Sequence, residues 1–138
     1  SVKRIALPGR EEERACVIAE FSNYVVACTH LSLTPADQLA SVQLIVNETS
    51  QYTKPVFLCG DFNAYPNSDV IAAFKKQFKI ISQTKHASWP SDSPKDMIDY
   101  IMVLKSTAKG VNAGNAHVVN GTLASDHLPQ CVAVDIRH

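Results

Sequence analysis

Two largely apolar runs, Arg14 to Phe21 and Tyr24 to His30, with Ser22-Asn23 between them, read as a hairpin closed by a two-residue turn. Thr34-Pro35-Ala36-Asp37 then opens a helix, with a hydroxyl at the cap, proline at the first helical position and an acid three residues after the cap. Leu39, Val42, Val46 and Thr49 recur at helical spacing, with Gln38, Gln43 and Glu48 between them. Pro55 starts a strand that ends at Gly60. Asn67-Ser68-Asp69 caps a second helix, whose apolar face is expected to hold Val70, Ile71, Phe74 and Phe78 while Lys75 and Lys76 meet water. A polar loop from Gln83 to Lys95 surrounds Trp89, and Ile98 to Leu104, Asn115 to Val119 and Gln130 to Ile136 read as the remaining strands.

Several of these strands carry no polar alternation. Val25-Val26-Ala27-Cys28, Val56-Phe57-Leu58-Cys59, Ile101-Met102-Val103-Leu104 and Cys131-Val132-Ala133-Val134 are apolar at consecutive positions, as strands covered on both faces are. Two helices cover one face of a sheet. Burial stabilises by roughly 25 cal/mol per Å², so the second face needs a partner and no stretch of this chain remains to supply it. A homodimer is therefore expected, two sheets face to face, with the side carrying Cys28 and Cys59 turned inward.

Length, charge and cysteines narrow the class. A chain of 138 residues is one domain at most, and its formal charge is zero, with 13 basic and 13 acidic side chains. No global positive field draws in a polyanion, which tilts any phosphate chemistry toward small or lipid esters. There is no apolar run long enough to span a bilayer and no secretory pattern at the start. The sequence opens on Ser1, so compartment stays open. Cys16, Cys28, Cys59 and Cys131 lack zinc-type spacing and read as buried free thiols.

Four short motifs follow or lie in the apolar runs: Thr29-His30, Gly60-Asp61-Phe62-Asn63, Ile98-Asp99-Tyr100-Ile101 and Ser125-Asp126-His127. Strand ends hold side chains rigidly. Two Asp–His pairings and an oxygen-ligated cation are what in-line transfer to water at phosphorus requires: a base, charge on the non-bridging oxygens and fixed geometry. Asp61 and Asn63 are also the residues of an Asx-type turn, whereas Asp99 sits at a buried position and calls for a partner such as a histidine. Trp89 reads as a packing anchor of its loop, a stacking platform being the alternative. His86, His117 and His138 have no motif around them and read as surface or structural residues.

On these motifs, and over Arg14 to Ile136, the chain resembles the endonuclease/exonuclease/phosphatase superfamily, which includes deoxyribonucleases, sphingomyelinases and inositol phosphatases. The most specific pair is Gly60-Asp61-Phe62-Asn63 with Ser125-Asp126-His127-Leu128-Pro129. The resemblance implies an α/β fold in which residues 1–138 form the C-terminal half of a four-layer α/β/β/α sandwich, a mostly antiparallel mixed sheet with two helices on its outer face. It implies metal-dependent hydrolysis of a phosphoester by activated water. His30 would donate to a phosphate oxygen, Asp61 would lie beside the attacking water or leaving group, and Asn63 would bind the phosphoryl oxygen. Asp99 would hold His127 in one tautomer while His127 activates water or stabilises the transition state, and Asp126 would help bind Mg²⁺ or Mn²⁺.

The resemblance also implies a gap. The family's metal-binding Glu lies in a Gln-Glu motif of the N-terminal half, and no Gln-Glu pair occurs here. Glu11, Glu12 and Glu13 read as a solvated loop. The isolated chain is thus expected to be inactive, with association with the missing half or with a second copy as its partnership besides the phosphoester itself. The rival classes are a non-catalytic binding or structural fragment and a serine hydrolase, the latter excluded because consecutive Ser125, Asp126 and His127 cannot form a triad.

Overall fold

The computed structural model describes residues 1–137; His138 lies outside the described residues. Eight strands and two α-helices follow in the order β1 (Val2–Leu7), β2 (Arg14–Glu20), β3 (Val25–His30), α1 (Pro35–Thr49), β4 (Val56–Asp61), α2 (Asp69–Phe74), β5 (Phe78–Ile80), β6 (Asp99–Leu104), β7 (Val111–Val118) and β8 (Gln130–Ile136). Six of the strands form one sheet in the order β1-β2-β3-β4-β6-β5. Only β3 and β4 pair in parallel, and α1 is the crossover that a parallel pair needs.

Strand register sorts the residues of this sheet by parity. Cys16, Ile18, Val25, Ala27, Val56, Leu58, Tyr100, Met102 and Leu104 face the helices and form one core with Val42 and Ile45 of α1 and Val70, Ile71 and Phe74 of α2. Phe62 packs edge-on against both Phe74 and Tyr100 at the centre of this core. On the opposite face Val17 and Cys28 are exposed, and Val26, Phe57, Cys59 and Ile101 are half-buried. The cysteines are all free thiols, but only Cys16 is buried; the expectation of four buried thiols fails at Cys28, which stands open on the second face.

Several expectations change. The strand pair β7-β8 is a separate two-stranded sheet, not part of the main one. It leans over the second face, where Val132, Val134 and Ile136 line a groove with Val26, Phe57 and Ile101. The chain therefore has one element for that face, which covers it in part. The buried face of α1 is turned from the expected one, with Gln38, Ser41, Val42, Ile45 and Thr49 inside and Leu39 exposed. Phe78 belongs to β5, because α2 stops at Phe74 and its C-cap is Lys75. Glu11 is tied down: its carboxylate accepts from the Ser32 hydroxyl and the Leu33 N–H. No helix among the described residues is long and apolar enough to cross a membrane.

Candidate active site

Register builds the centre of the site. His30 ends β3 and is paired with Asp61, which ends β4 and is paired with Asp99 at the start of β6. Because paired residues of adjacent strands point to the same face, the three side chains form the last row of the open face. Only glycine allows the close approach before this row. Gly60 has φ +140, and a Cβ there would lie 1.8 Å from the Thr29 carbonyl oxygen.

His127 reaches the row from the turn before β8. Its Nδ1 lies 2.8 Å from Asp99 Oδ2 and its Nε2 lies 3.5 Å from Asp61 Oδ2, while His30 Nε2 is 3.3 Å from that same Asp61 oxygen. An ionised carboxylate only accepts hydrogen bonds, so Nδ1 carries the hydrogen and Nε2 is the nitrogen turned toward Asp61. The other Asp61 oxygen, Oδ1, accepts from the Asn63 N–H at 2.9 Å. The Asx turn and the site thus use the two oxygens of one carboxylate. Asn63 adopts the left-handed region at φ 48, and its Nδ2 donates to the Leu31 carbonyl at 2.8 Å, leaving the second amide hydrogen without a partner among the described residues.

What holds His127 in place was invisible to motif reading. Ser88, with no exposed surface, donates to Asp99 Oδ2 at 2.7 Å and accepts through its carbonyl from the Leu128 N–H. Ser91 donates through its N–H to the Asp126 carbonyl and through its hydroxyl to the Ser125 carbonyl. The polar loop therefore clamps the Ser125–Leu128 turn onto β6. On the other side Gln38, 3% exposed, donates to the carbonyls of Ser32 and Asn63 at 2.7 and 3.0 Å, joining the loops that follow β3 and β4. Serines in a polar loop and a glutamine between apolar positions carry no sequence signal for such roles.

The cleft beside this row has a volume of about 420 Å³ and is lined by His30, Asp61, Asn63, Asp126 and His127 together with Leu33, Tyr65, Trp89, Asp96 and Ile98. Trp89 packs beside the His127 ring, with centroids 6.3 Å apart, so it both anchors its loop and faces the cleft. Burial pushes Asp61 above the usual carboxylate range, and Asp99 adds to this against the Asn63 N–H and the two histidines. For His127, burial works toward the neutral form, but the hydrogen bond and charge of Asp99, with the charges of Asp61 and Asp126, outweigh it and raise the imidazole. Ligand atoms of Asp61, Asp99 and His127 lie within 4.8 Å of one another, close enough to share a cation. Asp126 lines the same cleft from its exposed position.

Residues 5–127 match the model of the Endonuclease/Exonuclease/phosphatase family. Among solved structures, an endonuclease/exonuclease/phosphatase from Bacteroides vulgatus superposes with a TM-score of 0.81 at 16% identity, covering 99% of this chain and 65% of that one. A mannosyl-6-phosphatase from Bacteroides thetaiotaomicron gives 0.75 at 18% identity, covering 88% of this chain and 57% of that one. The catalytic domain of human Nocturnin, with a bound sulfate, gives 0.69 at 19% identity, with coverages of 99% and 59%. The chain spans less than two thirds of the length of each. No curated protein matches its sequence.

Proposed function

This chain belongs to the endonuclease/exonuclease/phosphatase family, and from that membership we propose that its cleft hydrolyses phosphoester bonds with water and a divalent cation. The observation that carries the reading is the row His30, Asp61, Asp99 at three adjacent strand ends, closed by His127 within reach of both carboxylates.

The donor chemistry suits Mg²⁺ or Mn²⁺. Three carboxylates and two histidines line the cleft, and among the described residues no lysine or arginine does. A phosphate meets net negative charge there unless a cation is present. The carboxylate of Asp126 would help hold such a cation, being an oxygen donor of the hardness these ions select. When bound, it supplies positive charge to the non-bridging oxygens of the ester. Asp61, made more basic by burial, takes the proton from the attacking water as the new phosphorus–oxygen bond forms. His127, raised toward its protonated form and fixed by Asp99, gives its Nε2 proton to the leaving oxygen as the old bond breaks. The His30 ring and the free Asn63 amide hydrogen orient the phosphoryl oxygens.

The groove over Phe57 and Ile101 supports a second element of the reading. Residues 1–138 are the C-terminal half of the domain, and the open face is covered by a second sheet from the rest of it, in keeping with the chain's share of its structural relatives. A second copy on the same face is the competing arrangement, distinguished by light scattering of the chain alone. Activity then belongs to the complete protein. The full-length protein should hydrolyse bis(p-nitrophenyl) phosphate or a phosphomonoester with Mg²⁺ or Mn²⁺, lose this with EDTA, and far exceed the 138-residue chain. Turnover insensitive to chelation, or no turnover of any phosphoester, overturns the reading. A non-catalytic fragment is the alternative.

A further inference from the structure

Leu33, Asn63 and Tyr65 line two cavities at once: the reaction cleft and a second groove of about 330 Å³ between the starts of α1 and α2. The two cavities adjoin across these three shared residues. Its far part is walled by Pro35, Leu39, Ala64 and Val70. Leu33, Leu39 and Tyr65 are 64%, 43% and 53% exposed, so three of the nine large apolar side chains left in water among the described residues flank this single groove. Single exposed apolar residues need no explanation, but a cluster at the mouth of a reaction site does.

We infer that this groove is the subsite for the non-reacting part of the substrate, and that this part is an uncharged apolar group, an alkyl or acyl chain, not a polynucleotide. The inference rests on the phosphoesterase reading of the adjoining cleft. Charge decides between the two kinds of substrate. A nucleic acid brings further phosphates on either side of the scissile one and is held through lysine and arginine. Here Asp69 lines the groove, Asp96 and Asp126 line the cleft, and among the described residues neither cavity has a basic side chain other than histidine. A cation that neutralises the scissile phosphate leaves its neighbours facing carboxylates. An alkyl chain meets Leu33, Leu39 and the Tyr65 ring instead, and each methylene it buries strengthens binding by about fourfold.

Methylphosphonate and hexylphosphonate, which share the anion and resist hydrolysis, test this on the full-length protein with Mg²⁺. Calorimetry should give hexylphosphonate the tighter binding by about 15- to 60-fold, from two to three buried methylenes. The Leu33→Ser, Leu39→Ser double variant should cut that ratio to a few-fold, while Leu44→Ser, equally exposed on α1 but outside the groove, should keep it. Hexylphosphonate should also shift the Leu33 and Leu39 methyl resonances, and methylphosphonate should not. Equal affinities for the two phosphonates, a ratio unmoved in the double variant, or a dinucleotide that binds more tightly than hexylphosphonate overturns the inference and leaves the reaction centre standing. Binding of neither phosphonate overturns both.

Discussion

Phe57 and Leu58 are neighbours on β4, yet their side chains lie in different surroundings. Leu58 sits on the face closed by α1 and α2, where every core position of the sheet is shielded from water. Phe57 sits on the other face, half-buried under β8 at the edge of an open groove. The same division runs through β3, where Ala27 is buried and Cys28 exposed, and through β6, where Met102 is buried and Ile101 half-buried. The row of the candidate site belongs to the second face, since His30, Asp61 and Asp99 have the parity of Cys28, Cys59 and Ile101. Strand parity thus separates two tasks under the proposed function: one set of side chains holds the fold, and the alternate set forms the candidate site.

If the tasks are separate, a substitution on one face should leave the other's property alone. His127→Ala in the full-length protein is expected to lower kcat/KM by about 10²- to 10⁴-fold, the range for losing a positioned acid or base. Its thermal midpoint should move little at alkaline pH, where the charged form of the ring no longer contributes. A loss below tenfold would place the chemistry elsewhere.

The covered face should give the mirror result. Leu58→Ala leaves a cavity in a closed core and should cost about 2–5 kcal/mol in urea unfolding. Phe57→Ala should cost clearly less in the isolated chain, because part of the ring already meets water. In the full-length protein its cost should rise toward about 3–5 kcal/mol, the range of a core phenylalanine. Equal costs for the two in the isolated chain would abolish the distinction between the faces.

Both the fold and the site divide along the same line between what pattern reveals and what it hides. The hairpin, β4, β6, β8 and the start of α1 follow from apolar runs and turn residues. The strand β1 does not, because only Leu7 of Val2–Leu7 is buried and an edge strand has little alternation to show. Phe78 misled by its spacing, four residues after Phe74, which fits a helix face as well as the strand beyond a turn. On α1 the apolar Leu39 lies outside and Gln38 inside, since hydrogen bonds to Ser32 and Asn63 meet the cost of burying an amide. The Asp and His residues of the site were legible because their types and neighbours are distinctive. Their supports were not.

Ser88 tests such a support, with a smaller expected effect. Ser88→Ala removes one donor to the Asp99 carboxylate in a fully buried spot. Hydrogen bonds to charged groups contribute about 1.5–3 kcal/mol, so activity should fall by about tenfold or more, chiefly in kcat, as His127 loses its alignment. A loss seen only in KM would mean that Ser88 supports the loop and not the Asp99–His127 pair.

The smallest effect sits where the two tasks conflict. Asp61 is a charged group in the middle of the row, and burial raises its pKa above the ordinary 3.8. Between that value and its folded value, the folded state holds more protons than the unfolded state, so stability contributed at this position falls as pH rises through the window. Above it the full deficit persists. Asp61→Asn should therefore be inactive yet more stable than the parent chain in metal-free buffer at pH 6, with the gain shrinking as pH falls toward 3.8. His127 titrates with the opposite sign. Its pKa is raised above 6.5, so its contribution is complete below that pH and is lost as pH rises through the folded value. Melts between about pH 4 and 6 thus isolate the carboxylate. A variant less stable than the parent at pH 6 would show that the Asn63 N–H and the two histidines repay the burial of Asp61 in full, and that the chemical face costs the fold nothing.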